Sequence, residues 1–261
     1  MTNPSVTFVC PTYNRTQYLP TAIRCFLQQV YDGDKELIIV DDSDEPAEIH
    51  ADARIQYVRL DARTPTGTKR NIGSRIARGD ILISLDDDDW SHPYRLKDQV
   101  QRLLKTGKAV TGYNASILFD VTTSQIHKIR GGPPYFASGS SQCYWKSWWR
   151  EHPYPDCSFG EDSVFSRTAR LTDELAISEP GKMLVVRRHA TNTSEVYLPR
   201  LQKLTAEDVS GEFWRAIKSP LPKHLYITDR FAPECEQEAL EQYDAPVVDY
   251  RVDKLPEVVT R

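Results

Sequence analysis

No stretch of this sequence approaches the roughly 18–20 consecutive apolar residues of a membrane-spanning helix. The opening residues, Met1-Thr2-Asn3-Pro4-Ser5, carry neither a basic cluster nor an apolar run, so no secretion signal is expected. Cysteine is scarce. Cys10, Cys25, Cys143, Cys157 and Cys235 are scattered, odd in number and form no Cys-x-x-Cys pair. That argues against a disulfide framework or a thiolate zinc site and for reduced thiols in a cytoplasmic protein. Strong charge of one sign is missing too: a net charge of −4 gives no general attraction to nucleic acid or to an anionic membrane. Repeats and low-complexity tracts are absent. What remains is 261 residues at 39% apolar content, which fits one large domain, or one domain with an appendage.

The most informative stretch is Ile81-Leu82-Ile83-Ser84-Leu85, a short buried strand, running directly into Asp86-Asp87-Asp88-Asp89-Trp90. Four adjacent carboxylates cannot all be buried ionised without counter-charge. Placing them where the strand leaves its sheet, facing a cation, resolves the conflict. In an open α/β sheet that edge is where ligands bind, and an Asp-x-Asp pair there suits Mg²⁺ or Mn²⁺. The bland reading is a solvated acidic turn.

The same arrangement recurs upstream. Val6 to Cys10 is a strand ended by Pro11. A helix should begin near Thr16, with Leu19, Ile23, Phe26, Leu27 and Val30 as its apolar stripe. Lys35 to Val40 is a strand ending in Asp41-Asp42-Ser43, and Ile55 to Leu60 is a third. A helix through Arg70 to Arg78, closed by Gly79, precedes the aspartate strand. The order β-α-β-β-α-β predicts a mainly parallel α/β layer with helices on its faces. Further on, Pro93 to Thr106 reads as a helix with Leu96, Val100, Leu103 and Leu104 inward, and Gly107 ends it. Ala109 to Phe119 and Gln125 to Ile129 read as a hairpin, followed by an aromatic loop from Arg130 to Phe136. Trp145, Trp148 and Trp149 suit either core packing or stacking on sugar rings and bases. Leu184 to His189 is a last strand before a polar loop.

Pro11-Thr12-Tyr13-Asn14-Arg15, Val40-Asp41-Asp42-Ser43, Gly67-Thr68-Lys69-Arg70-Asn71-Ile72-Gly73 and Leu85-Asp86-Asp87-Asp88-Asp89, in this order and spacing, strongly resemble the inverting family 2 of GT-A glycosyltransferases. The resemblance covers roughly residues 1–200 and implies a GT-A, Rossmann-like fold. On that basis residues 1–92 form a nucleotide-sugar half, 93–200 an acceptor half, and 201–261 a C-terminal appendage that could mediate homo-oligomer contacts. Leu201 to Ile217 reads as helical, and a strand-helix-strand tail follows.

The resemblance implies a nucleoside-diphosphate sugar as donor, a UDP-sugar first, and Mn²⁺ or Mg²⁺ on its phosphates. Pro11, Thr12, Tyr13, Arg15, Asp41, Asp42, Arg70, Asp86 and Asp87 are then donor-binding, with Asp42 on the nucleobase and Arg70 near the diphosphate. The family's Asp-x-Asp maps onto Asp86 and Asp88, with Asp88 as metal ligand; Asp87 and Asp89 form the other possible pair. Phe159-Gly160-Glu161-Asp162 resembles the family's Glu-Asp motif, which makes Asp162 the general base, with Glu161 beside it. His189 is expected as a further metal ligand or a phosphate contact, and Arg187 and Arg188 as aids to the leaving group. The acceptor bears a hydroxyl, on a glycan or small molecule rather than on a modified nucleic-acid base. Alternative readings are a nucleotidyltransferase, which usually carries a glycine-rich basic loop that Pro11 to Arg15 does not provide, and a non-catalytic nucleotide-sugar-binding relic.

Overall fold

The structure, a computed structural model, describes residues 3–49, 52–114, 116–129, 137–178, 183–190 and 192, with two further strands at 201–203 and 249–251. β1 (Val6–Thr12), α1 (Leu19–Leu27), β2 (Lys35–Asp41), β3 (Ile55–Arg59), α2 (Thr66–Ile76) and β4 (Ile81–Ser84) follow the expected order. Next come β5 (Trp90–Ser91), α3 (Arg95–Thr106), β6 (Val110–Tyr113), β7 (Ser116–Asp120), β8 (Gln125–Ile129) and β9 (Cys143–Trp145). The described chain closes with α4 (Lys146–Glu151), α5 (Glu161–Leu171), β10 (Leu175–Ser178), β11 (Leu184–Arg188), β12 (Leu201–Lys203) and β13 (Asp249–Arg251).

The main sheet has the order β10-β6-β9-β4-β1-β2-β3-β13. Every pair in it is parallel except those that β9 makes with β4 and β6. β2 shows why its sequence is continuously apolar. Leu37 and Ile39 enter the core shared with Phe8, Phe26, Leu96 and Val100, while Ile38 and Val40 enter the opposite core with Trp148, Trp149 and Phe165. A strand covered on both faces has no polar alternation to show. A smaller sheet, in the order β12-β8-β7-β11-β5, packs Ile117, Phe119, Ile126 and Val185 around Cys25 of α1.

Several local expectations change. Residues 16–18 are turns and α1 starts at Leu19, with Pro20 in its first turn. α2 stops at Ile76, so Gly79 does not close it. A Cβ on Gly79 would lie 2.5 Å from the Thr7 backbone nitrogen, so this glycine instead lets the chain pass tightly against β1. Gly107 does close α3, at φ +68°. Leu104 is 55% exposed rather than inward. The stretch from Ala109 to Phe119 is two strands: β6 belongs to the main sheet and β7 to the small one. Leu201 to Lys203 is a strand paired with β8, not the start of a helix. The remainder of that expected helix, most of the tail and the 130–136 loop lie outside the described residues.

Candidate active site

The carboxyl ends of β1 and β4 open into one cleft of about 680 Å³, closed on the far side by residues 138–140 and the start of α5. That is within the ordinary size of ligand clefts, about 300–1,000 Å³. The run Asp86 to Asp89 spreads across its floor. The extended strand ends at Ser84, and turn geometry from Asp87 sends the side chains in different directions. Asp86 accepts from Arg70 Nη2 at 2.9 Å. Asp87 accepts from the Thr12 hydroxyl at 2.7 Å and from Arg15 Nη1 at 3.0 Å. Asp88 Oδ2 accepts from Arg15 Nη1 at 2.9 Å and lies 3.0 Å from His189 Nε2 and 3.4 Å from Asn192 Nδ2. Asp89 is buried on the Arg187 backbone N–H, 3.1 Å away.

The counter-charge that four adjacent carboxylates require therefore comes largely from the protein itself. Arg15 spans Asp87 and Asp88, and Arg70 holds Asp86. Burial, reinforced by the neighbouring Asp88 charge, pushes the Asp87 carboxyl up to about 6, against the pull of Arg15 and Thr12. Burial likewise raises Asp89 well above the usual range, with Asp88 and Asp86 adding to it. Beneath the run, the fully buried Arg95 donates to the Ser84 and Ser140 carbonyls at 2.8 and 2.6 Å and to Ser91 and Gln99. It ties the end of β4 to the 139–141 turn and so fixes the floor to the far wall.

Two aspartates at the end of β2 part company. Asp41 is fully buried. Its Oδ1 receives the Ser43 N–H and hydroxyl, and its Oδ2 the Tyr57 hydroxyl at 2.5 Å. Asp41 does not line the cleft, so the structure gives this expected donor contact a loop-shaping position instead. Asp42 receives Lys69 Nζ at 2.7 Å and Arg63 Nη1 and the Thr64 N–H at 2.7 Å each. Burial alone would raise its carboxyl, but these three donors outweigh that and hold it below the usual range. Arg63 also lies 3.6 Å over the Tyr13 ring. Thr12, Tyr13, Arg63 and Lys69 thus form a polar, stacked end of the cleft beside Pro11.

On the far wall, Gly160 at φ +80° turns the chain into α5 and sets Glu161 and Asp162 in its first turn, where carboxylates favour the helix dipole. Glu161 is buried 3.5 Å from Arg70 Nε. Burial raises its carboxyl; Arg70 lowers it and Asp162 raises it further. Asp162 Oδ1 accepts from the Ser163 N–H at 2.7 Å, and Oδ2 faces Gly139. Arg70 runs beneath both walls. Burial disfavours its charge, yet Asp86, Tyr154 and Glu161 raise its pKa, and its Nη1 has no hydrogen-bond partner among the described residues.

The donor set at Asp88 and His189 fits a divalent ion. A carboxylate oxygen and an imidazole nitrogen are ligand types such an ion takes; the 3.0 Å between Asp88 Oδ2 and His189 Nε2 is itself a hydrogen-bond length, and Arg15 and Asn192 share the same oxygen. His189 is held by stacking on Tyr18, with ring centroids 4.5 Å apart, and by an N–H bond to Asn192. No larger group of His, Cys, Asp or Glu converges on a metal position among the described residues, so the chain would supply two ligands.

The expected site residues mostly converge: Pro11, Thr12, Tyr13, Arg15, Arg70, Asp86, Asp87, Asp88, Glu161 and Asp162 all line the cleft. Asp41, Asp42, His189, Arg187 and Arg188 do not line it. Arg188 pairs with Asp120 at 3.5 Å, and Arg187 alternates with Val186, the residue that lines the cleft. Trp148 and Trp149 are buried in the core, which decides the tryptophan question for packing. Lys69, Arg63, Gly139 and Asn192 were not foreseen. Asn192, three residues after His189 in a polar loop, carried the clearest local signal.

Comparison with known proteins agrees with this geometry. The family described as Glycosyl transferase family 2 matches residues 7–173. The succinoglycan biosynthesis protein ExoO of Rhizobium meliloti (strain 1021) is 33% identical over 121 residues, 44% of this chain and 34% of that protein. The putative colanic acid biosynthesis glycosyl transferase WcaA of Escherichia coli (strain K12) is 36% identical over 101 residues, 36% of either chain. The matches therefore span about a third of the length of these curated relatives. Among solved structures, S. aureus TarS 1-349 in complex with UDP-GlcNAc superposes with a TM-score of 0.58 at 16% identity, covering 74% of this chain and 62% of that one. The fold is thus GT-A, Rossmann-like. With the family match spanning well over half of the sequence, the chain belongs to glycosyl transferase family 2.

Proposed function

We propose that the chain transfers a sugar from a UDP-sugar to a hydroxyl acceptor with inversion at the anomeric carbon. The observation that carries this reading is one cleft lined by the aspartate run, Arg70 and Asp162, with Arg70 bonded to Asp86 and beside Glu161. The choice of uridine rests on TarS, which has been solved with UDP and with UDP-GlcNAc. Thr12, Tyr13, Arg15 and Asp87 would hold the nucleoside, with Asp42 setting Lys69 and Arg63 beside it, and Arg70 would hold a diphosphate oxygen by a charge-assisted hydrogen bond. Asp88 and His189 would hold Mn²⁺ or Mg²⁺, whose charge would stabilise the departing diphosphate. Asp162 takes the proton from the acceptor hydroxyl as that oxygen bonds to the anomeric carbon. The bond from that carbon to the diphosphate breaks, and its electron pair leaves with UDP. One displacement inverts the centre once. Buried, unpaired Cys10, Cys25 and Cys143 suit a reducing, cytoplasmic setting.

Incubation with a panel of UDP-sugars and Mn²⁺, with a chelator control, tests the reaction. Slow release of UDP from one or a few donors is expected. Release of UTP and sugar 1-phosphate once pyrophosphate is added would show a nucleotidyltransferase instead, and calorimetric donor binding with neither cleavage would show a binding relic.

Gly139 provides a check on the base. An added Cβ would lie 2.6 Å from Asp162 Oδ2, and the backbone φ is not in the left-handed region. The Asp162 Cβ, at 2.9 Å, is in the way as well as the carboxylate, so rotating the side chain does not clear the clash, and Gly139→Ala should push the 139–141 turn and the start of α5 apart. Turnover is expected to fall roughly 10²-fold, the scale of a 1 Å misplacement, with a lowered melting temperature. Unaltered turnover would mean that the carboxylate has no fixed orientation to lose.

A further inference from the structure

Phe159 is 77% exposed, more than any other large hydrophobic described, and it lines the active-site cleft beside Asp162. Exposure of a phenyl ring is ordinary on a loose loop, but this loop is held. Gly67 N–H donates to the Cys157 carbonyl at 2.9 Å, Thr66 N–H to Ser158 Oγ at 3.3 Å, and the Thr68 hydroxyl to Asp156. A Cβ on Gly67 would sit 2.0 Å from the Pro155 carbonyl oxygen, so the loop lies directly on the start of α2. On the other side Gly160 turns the chain sharply into α5. The fold thus presents the ring to solvent from a fixed base, one turn before the carboxylates.

Its surroundings select a ligand chemistry. Ser138, Ser158, Glu161, Asp162 and Ser163 line the same wall, and among the described residues no second large apolar side chain joins Phe159 there. An alkyl chain needs a continuous apolar channel. A single ring flanked by hydroxyls and carboxylates matches a pyranose, which has a C–H face to stack and hydroxyl edges to hydrogen-bond. Trp148 and Trp149 are in the core, and Trp145 packs against it.

We propose that Phe159 is the acceptor platform, and that the acceptor is a carbohydrate whose ring stacks on it while a hydroxyl reaches Asp162. The inference rests on the glycosyl-transfer reading above. Methyl glycosides of the common pyranoses and decanol, each with the UDP-sugar that the parent cleaves, are the probes. Transfer to at least one methyl glycoside is expected. Phe159→Ala should raise KM for that glycoside about tenfold, the loss of one stacking contact, with KM moving more than kcat. Phe159→Trp should keep KM at or below the parent value. An unchanged KM in Phe159→Ala, or transfer to decanol and to no glycoside, overturns the proposal. Saturation transfer from the protein to the ring protons of the methyl glycosides, measured by NMR, needs no turnover. It should be seen in the parent and lost in Phe159→Ala even if no donor is cleaved; equal transfer in both proteins also overturns the platform. Failure of donor cleavage alone counts against the reaction and not against this contact.

Discussion

Asp162→Asn should keep the UDP-sugar bound within a few-fold of the parent affinity and lose transfer by roughly 10²–10⁴-fold, the usual contribution of a general base. The substitution is nearly isosteric. Asn retains an oxygen for the Ser163 N–H that Asp162 Oδ1 now accepts, so the turn into α5 is not disturbed. Glu161→Gln should cost less, because Glu161 is buried against Arg70 and acts through that guanidinium. The parent product should carry the opposite anomeric configuration from the donor. Calorimetric donor titration, single-turnover transfer and NMR of the product separate the cases. A near-parent transfer rate in Asp162→Asn, or a retained configuration, would remove Asp162 from the role of base.

The second large effect is expected at Asp88. Asp88→Ala should abolish the difference between donor affinities measured with Mn²⁺ and with chelator, since it deletes the oxygen that lies 3.0 Å from His189 Nε2. Asp87→Ala should weaken the donor too, because Thr12 and Arg15 lose their shared partner, yet the Mn²⁺ dependence should survive. The two variants therefore differ in kind as well as in size. Should Asp87→Ala be the one that erases the metal dependence, the ligand assignment moves one residue back.

The aspartate run shows how legible the site was. That carboxylates would stand at the mouth of a parallel sheet followed from a continuous apolar strand stopping at Ser84. Which carboxylate faces which partner did not follow. The family pattern made Asp86 and Asp87 donor-binding without dividing their partners; the structure bonds Asp86 to Arg70 and Asp87 to Thr12 and Arg15. A strand alternates sides with period two, but the chain leaves the strand here, so no period carries past Leu85. Asp41 and Asp42 behave similarly: the pair was visible, and only the position of Tyr57 on β3 shows that Asp41 is spent inside.

By itself, the sequence determined what local chemistry controls. It set the β-α-β-β-α-β order, the covered central strands, the Gly107 stop and the acidic first turn of α5. These depend on neighbours within a few residues, through backbone propensity, side-chain period and capping. The tertiary structure alone decided the rest: that Trp148 and Trp149 are core, that Gly139 faces Asp162, and that Phe159 stands at the cleft mouth. The site is assembled from partners far apart in sequence, 75 residues for Thr12 with Asp87 and 101 for Asp88 with His189. Contacts at that separation are set by how the two sheets and their helices pack, and no local pattern encodes them.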